Sequence, residues 1–217
     1  MSIILDAKPV LYKKSTKKMQ SIVANIAQGA TKDTAWLLEH HHIYTSGYTT
    51  YSDWINKYGR KINGIPLVET ERGGQITYHG PGQRVCYVMI DLKKFYGVID
   101  LSKFLFDIHQ LIISVLGDFG IVGVKDPDYP GVWVKKEGQL NKIAAVGIKI
   151  RRGVSYHGIA LNVNTDLSYF NLIAPCGIYE NNRGVTSIAE TISQEIKLEE
   201  IDISMMKHLK IIWGIDR

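Results

Sequence analysis

From Ile65 to Leu92 the chain reads IPLVETERGGQITYHGPGQRVCYVMIDL. Three strand-like runs are set in it, Ile65 to Glu69, Gln75 to Tyr78 and Arg84 to Leu92. Two glycine clusters, Gly73-Gly74 and Gly80-Pro81-Gly82, punctuate them as turns or close backbone approaches. The next segment changes period. Leu101, Phe104, Leu105, Ile108, Leu111, Ile112, Val115 and Leu116 recur at helical spacing, which predicts a helix over Leu101 to Phe119. Asp100 or Ser102 serves as its cap, and Gly117 and Gly120 mark its end. A second run of strands follows, Gly131 to Lys135, Lys142 to Arg151 and His157 to Asn164.

On the N-terminal side, Met19, Ile22, Val23, Ile26 and Ala27 mark a helix capped at Ser15 or Thr16 and ended by Gly29. Thr34 to His40 reads as a buried strand, followed by a loop rich in Tyr, Ser, Thr and Gly. Two helices close the chain, one opened by the capping box Ser187 to Glu190, the other over Glu199 to Trp213. Strands in the middle with helices between the runs predict an α+β fold, a mixed sheet flanked by helices, rather than a doubly wound one.

The chain has 217 residues, 45% hydrophobic and 22% charged, a composition that excludes disordered and low-complexity classes. No repeat or linker divides it, so residues 1–217 are expected to form a single domain. The longest apolar runs, such as Ile143 to Ile148, are far short of the ~20 residues that span a bilayer. Nothing near the N-terminus has the pattern of a signal peptide. The two cysteines therefore read as free thiols of a cytoplasmic protein. Net charge is +5, from 26 Lys and Arg against 21 Asp and Glu. Such a balance favours acidic partners without naming one.

Five features could carry chemistry. Cys176, between Pro175 and Gly177, lies on a turn. It is either an accessible thiol, nucleophilic once a nearby cation favours the thiolate, or a structural one. Cys86, inside an apolar run, reads as packing. Lys142 opens an apolar strand and is either a snorkelling strand end or an amine in a dry pocket, where desolvation favours the neutral, proton-accepting form. Arg72 to Gln83 is neither a Walker loop nor a dinucleotide fingerprint. Its glycines allow close backbone approach, while Tyr78 and His79 supply polar tips. His40-His41-His42 resembles a metal cluster, but only His40 and His42 could share a strand face and no further ligand is spaced to join them, so no metal is expected. Lys149 to Gly153, with Tyr156 and His157, is either a phosphate contact or a solvated hairpin tip.

Arg72-Gly-Gly-Gln-Ile-Thr-Tyr-His-Gly-Pro-Gly-Gln83, with Tyr87 and Asp91-Leu92 beyond it, resembles the signature of the lipoyl(octanoyl) transferase family. Gly131-Val132-Trp133, Lys142 to Gly147, Arg151 to Gly158, Asn162-Val163-Asn164 and Pro175-Cys176-Gly177 match further blocks in the family's order. His41 and His42 depart from it, standing where the family usually has prolines. The resemblance implies a fold similar to biotin and lipoate ligase catalytic domains. It implies Cys176 as the acyl-accepting nucleophile and Lys142 as its catalytic partner. It implies an acyl pocket lined by Arg72, Gly73, Gly74, Gln75, Ile76, Thr77, Tyr78 and His79, by Ala145, Val146 and Gly147, and by Gly158, Ile159 and Ala160. Gly147 and Gly158 are candidate oxyanion donors, and His79 a positioning or proton-handling residue. The implied donor is octanoyl-acyl carrier protein, with the acyl group on phosphopantetheine. The implied acceptors are lipoyl domains of 2-oxoacid dehydrogenases and the glycine cleavage H protein. Neither bound cofactor nor ATP is implied, nor any nucleic acid or membrane partner. The competing reading is an ATP-dependent lipoate–protein ligase of the same fold, which needs no nucleophilic cysteine; its Arg-Arg-x-Ser-Gly-Gly-Gly type loop is absent.

Overall fold

The computed structural model describes residues 1–47, 50–173 and 183–214. In chain order the elements are β1 (Ser2–Leu5), α1 (Tyr12–Ala27), β2 (Thr34–Leu38), β3 (Ile43–Gly47), α2 (Tyr51–Tyr58), β4 (Lys61–Ile62), β5 (Ile65–Thr70), β6 (Thr77–His79), β7 (Gln83–Met89), α3 (Leu92–Tyr96) and α4 (Leu101–Asp118). The remainder are β8 (Gly123–Lys125), β9 (Val132–Lys136), β10 (Gln139–Arg151), β11 (Val154–Asn162), a 3-10 turn over Leu167–Leu172, β12 (Arg183–Val185), α5 (Ile188–Ile192) and α6 (Leu198–Trp213).

The main sheet runs β1-β2-β7-β11-β10-β9-β8, with β12 alongside β10. It is mixed, since β1–β2 and β10–β12 are parallel and the other pairs antiparallel. A smaller sheet runs β4-β5-β3-β6.

Side chains alternate across the main sheet, and the alternation separates two interiors. Ala35, Leu37, Cys86, Val88, Val132, Val134, Ile159 and Leu161 face α4 and α6 and pack into the largest apolar cluster. Trp36, Leu38, Val85, Tyr87, Met89 and Ala160 face the other way, beneath Met19, Val23 and Ile26 of α1. α4 buries the apolar stripe expected of it, and the Asp100 carboxylate accepts from the Lys103 amide at 2.8 Å, satisfying one of the donors a helix start leaves open. α6 is tied to β7 by a buried pair, Arg84 Nε and Nη2 on the two Asp202 oxygens at 2.8 and 2.9 Å. Cys86 is packing: burial pushes its thiol up to about 12.

Several boundaries differ from expectation. α1 starts at Tyr12, with Leu11 at the cap position. Ser15 and Thr16 lie inside it, their hydroxyls bonded back to the Tyr12 carbonyl at 2.8 and 2.9 Å. The stretch after His40 is not wholly loop: it holds β3, entirely buried. Its Ser and Thr residues resemble loop sequence, but the small sheet absorbs their hydrogen bonds. Thr70 Oγ1 donates to the Ser46 carbonyl at 3.0 Å, and Tyr44 Oη to the Tyr169 carbonyl at 2.8 Å. The strand expected at Gln75 begins at Thr77. Ser187 caps α5 by accepting from the Glu190 amide at 3.1 Å, while the Glu190 carboxylate takes the Thr186 hydroxyl instead of closing the box. Among the described residues, no helix is long and apolar enough to cross a membrane.

Candidate functional site

The site lies on the α1 side of the sheet and begins with a register fault. β9 and β10 pair Trp133 with Lys142 and then Val132 with Ala144, so Ile143 is an extra residue, a β-bulge. Ile143 and Ala144, consecutive in sequence, both pack into the cluster beneath α4 and α6. The bulge therefore turns Lys142 and Ala145 alike to the opposite face, where simple alternation would have separated them.

Lys142 is 4% exposed. Its Nζ stands 4.7 Å above the Trp133 ring and has no hydrogen-bond partner among the described residues. The aliphatic stem passes Gly131, where an added Cβ would come within 3.3 Å of Lys142 Cε and 2.6 Å of the Ala144 carbonyl oxygen. That crowding, with a φ of 129°, is why glycine precedes Val132-Trp133. The Lys142 carbonyl accepts from the Thr186 amide at 2.9 Å. Of the two readings open for this lysine, the structure gives the buried amine, not the snorkelling strand end. Cys176 lies outside the described residues.

A cavity of about 280 Å³ runs across the strands from this corner. Tyr129 and Pro130, which lead into β9, bound one end. Ala145 to Gly147 of β10 and Gly158 to Ala160 of β11 form the floor, and Val85 and Tyr87 of β7 with Tyr12 of α1 bound the other end. Three strand spacings separate β9 from β7, about 14 Å. Gly158 is required by the approach of β7: a Cβ there would lie 2.0 Å from the Cys86 carbonyl oxygen.

Gly147 and Gly158 pair with each other in the ladder. Ile148 turns its carbonyl outward to the Gly73 amide at 3.1 Å, so the antiparallel alternation turns the Gly147 amide inward to β11. Gly158 is flanked by paired strands on both sides. The amides of both glycines serve the sheet, so their contribution is space and not oxyanion donation.

The Arg72 to His79 segment divides by alternation. Arg72, Gly74, Gln75, Thr77 and His79 line the cavity. Ile76 and Tyr78 do not: they point into the small-sheet core, where Tyr78 stacks on Tyr169 at 4.6 Å. Gly73 is outside the lining as well, its amide spent on Ile148 and its carbonyl accepting from Arg72 Nη1 at 3.0 Å. Arg72 is further pinned to Thr45, Nη2 reaching its carbonyl at 2.6 Å and its hydroxyl at 2.9 Å.

His79 is buried and held at both ring nitrogens. Gln83 spends its Nε2 on the Tyr78 carbonyl and Asn162 Oδ1, at 3.2 and 2.9 Å. Its Oε1 must then accept from His79 Nδ1, at 2.7 Å. His79 Nε2 meets the Thr45 hydroxyl at 3.2 Å, so both ring nitrogens are engaged. Burial, with His40 and Arg72 nearby, lowers its pKa to about 3, and it is neutral at pH 7. The chain continues from Asn162 Nδ2 to the Thr186 carbonyl at 3.0 Å, joining the glycine-rich segment to the residues that hold the Lys142 backbone.

Tyr12 does not stand out in the sequence, and Tyr87 and His157, which do, are not assigned there to the cavity they line. Tyr12 stacks on His79 at 6.2 Å and meets His40 edge-on at 5.1 Å; burial pushes its phenol up to about 12. His40 Nδ1 faces the Val10 carbonyl at 2.9 Å, so Nε2 accepts from Tyr87 Oη at 2.7 Å. His157, inside β11, has φ 63° and is buried. A non-glycine residue in that region costs on the order of 1–3 kcal/mol, and here the twist lays its ring against that of its neighbour Tyr156, centroids 4.6 Å apart. Burial, then Arg72, lowers its pKa to about 3. His42 bonds Tyr78 Oη at 2.7 Å in the other sheet, so His40 and His42 enter different clusters. Arg152 and Gly153, φ 52° and 81°, make the two-residue turn of the β10–β11 hairpin, consistent with the hairpin-tip reading of that basic segment.

Residues 12–210 match the model of the lipoyl protein ligase A/B catalytic domain. The chain belongs to that family. It is 41% identical over 218 residues to an octanoyltransferase from Nitrobacter hamburgensis, covering 97% of this chain and 86% of the relative. It is 40% identical over 210 residues to an octanoyltransferase from Parvibaculum lavamentivorans, covering 95% and 89%. In fold it is similar to a bi-partite lipoate protein ligase from Thermoplasma acidophilum, TM-score 0.68 at 16% identity over 99% of this chain and 84% of that one. Within this lipoyl protein ligase A/B fold, the bulge and the glycine contacts account for two of the sequence blocks, those at Gly131 and at Lys142 to Gly147.

Proposed function

We propose that this chain is a cytoplasmic, single-domain octanoyltransferase. It moves an octanoyl group from the phosphopantetheine thioester of acyl carrier protein to a lysine of a lipoyl domain, such as those of 2-oxoacid dehydrogenases or the glycine cleavage H protein. The observation that carries this reading is the Lys142 amine, buried against Trp133, aimed by a bulge to the cavity side of the sheet and without a hydrogen-bond partner among the described residues. Burying such an amine without a hydrogen-bond partner is costly, and a buried titratable group kept on the cavity side of a sheet marks a candidate for proton transfer.

In the first half-reaction Lys142 Nζ takes the proton of the Cys176 thiol, and the thiolate Sγ attacks the thioester carbonyl carbon. The new C–S bond forms as the bond to pantetheine sulfur breaks, and the departing thiolate takes the proton back from Lys142. In the second, the acceptor lysine's neutral amine attacks the acyl carbon. Its surplus proton passes to Lys142 and Cys176 leaves as thiolate, forming an amide. The acyl group is already activated, so the sequence consumes no ATP. The octanoyl tail occupies the cavity, with the small residues of β10 and β11 beneath it.

Incubation with octanoyl-acyl carrier protein and a lipoyl domain tests this. Octanoylated lipoyl domain should form without ATP, and Cys176→Ser should abolish it. Transfer seen only with free octanoate and ATP, and retained by Cys176→Ser, would assign the chain to the ligase class instead.

A further inference from the structure

A second space, of about 560 Å³, lies on the far side of Tyr12 from the acyl cavity, between α1 and β5. Its rim is polar and includes Lys13, Lys17, Glu69 and Glu71. Among the described residues, Tyr12 and His157 are the two whose surfaces line both spaces. They stand at the cavity end remote from Lys142: His157 pairs with Ile148, six residues along β10 from Lys142, and Tyr12 lines the cavity beside it. A chain whose carbonyl lies at Lys142 points its terminal methyl at them.

Both side chains are held firmly. Tyr12 stacks on His79, which is itself bonded at both nitrogens. His157 keeps its ring in place through a positive φ in mid-strand, and its amide is turned to Met19 Sδ at 3.2 Å. A strained, buried residue that closes a cavity marks a wall kept for a reason beyond packing.

Resting on the octanoyltransferase reading, we propose that Tyr12 and His157 form the end wall that sets acyl chain length, and that a tail longer than octanoyl is excluded because only this partition separates it from the second space. Removing either ring joins the two.

His157→Gly and Tyr12→Ala test the wall. Glycine accepts φ 63° without strain, and alanine suits the first turn of a helix, so both variants are expected to fold. Each is offered an equimolar mixture of octanoyl-, decanoyl- and dodecanoyl-acyl carrier protein, and the acyl adducts are counted by intact mass. Free octanoate and dodecanoate binding, read by calorimetry, reports the same preference without turnover. A newly buried methylene is worth about 0.8 kcal/mol, roughly fourfold. The dodecanoyl-to-octanoyl ratio should therefore rise at least about tenfold in both variants. A ratio within twofold of the parent, in adducts and in binding alike, would overturn the proposal. Absence of any adduct in the parent protein, with the binding ratio still shifted, would sink the transfer reading and leave the wall standing.

Discussion

The two faces of the main sheet are built from the same strands, one residue out of phase, and they have different uses. Under α4 and α6 the interior is apolar from Ala35 and Cys86 to Leu209, broken by the buried Arg84–Asp202 pair. Under α1 the same strands present Tyr87 and His157 beside two glycines that pair across the ladder, and the bulge turns Lys142 to the same side of the sheet. The crossing from one character to the other is made twice against simple alternation, by the bulge at Ile143 and by the positive φ of His157. One face provides stability; the other spends some of it on a cavity with buried polar groups.

Changing Lys142 should separate the faces most sharply. Lys142→Met keeps the stem and removes the amine, so transfer should fall about 10²- to 10⁴-fold with thermal stability equal to or above the parent. A comparable fall in melting temperature would show that the lysine is structural. Leu111→Ala, on the opposite face, should do the reverse, costing about 2–5 kcal/mol in denaturant unfolding while kcat and KM stay near the parent values. Gly158→Ala breaks the separation itself, because its Cβ meets β7 backbone; a loss of about 3 kcal/mol or more is expected, with activity falling alongside.

Smaller effects come from the buried histidines. His40, His79 and His157 have folded pKa values lowered to about 4, 3 and 3 by burial, against about 6.5 unfolded. The unfolded chain thus binds more protons below pH 6.5. Their contribution is fully present above that value and is lost as pH falls toward 4, by up to about 1.4 kcal/mol per histidine per pH unit. Urea unfolding at pH 7.5 and 5 should show a pH dependence in the parent that His40→Asn reduces by about 2 kcal/mol over that interval; an unchanged difference would contradict the neutral state. Smallest, Tyr87→Phe strands His40 Nε2 and should cost about 1–3 kcal/mol.

The fold was legible where periodicity was strong. α4, α6 and the core of β7, β10 and β11 follow from apolar spacing. β3 was not legible, because Thr45-Ser46-Gly47 looks like loop until Thr70 and Arg72 are placed beside it. The site was legible as residue types but not as geometry. Gly131 and Lys142 stood out in the sequence, yet no residue marks Ile143 as the bulge that aims the lysine. His157 carries no sign of its positive φ, and Tyr12 was hidden by a helix start read one turn too late. Ile76 and Tyr78 were grouped with the cavity because a contiguous motif was read as one surface, whereas a strand sends alternate residues to opposite sides.

The most direct measurement is the intact mass of the protein after mixing with octanoyl-acyl carrier protein alone. One octanoyl adduct should form, map to Cys176, and discharge when a lipoyl domain is added, while Lys142→Met should form it far more slowly. An adduct on any other residue, or equal rates for parent and Lys142→Met, would contradict the assignment of the cavity face as an acyl-transfer site.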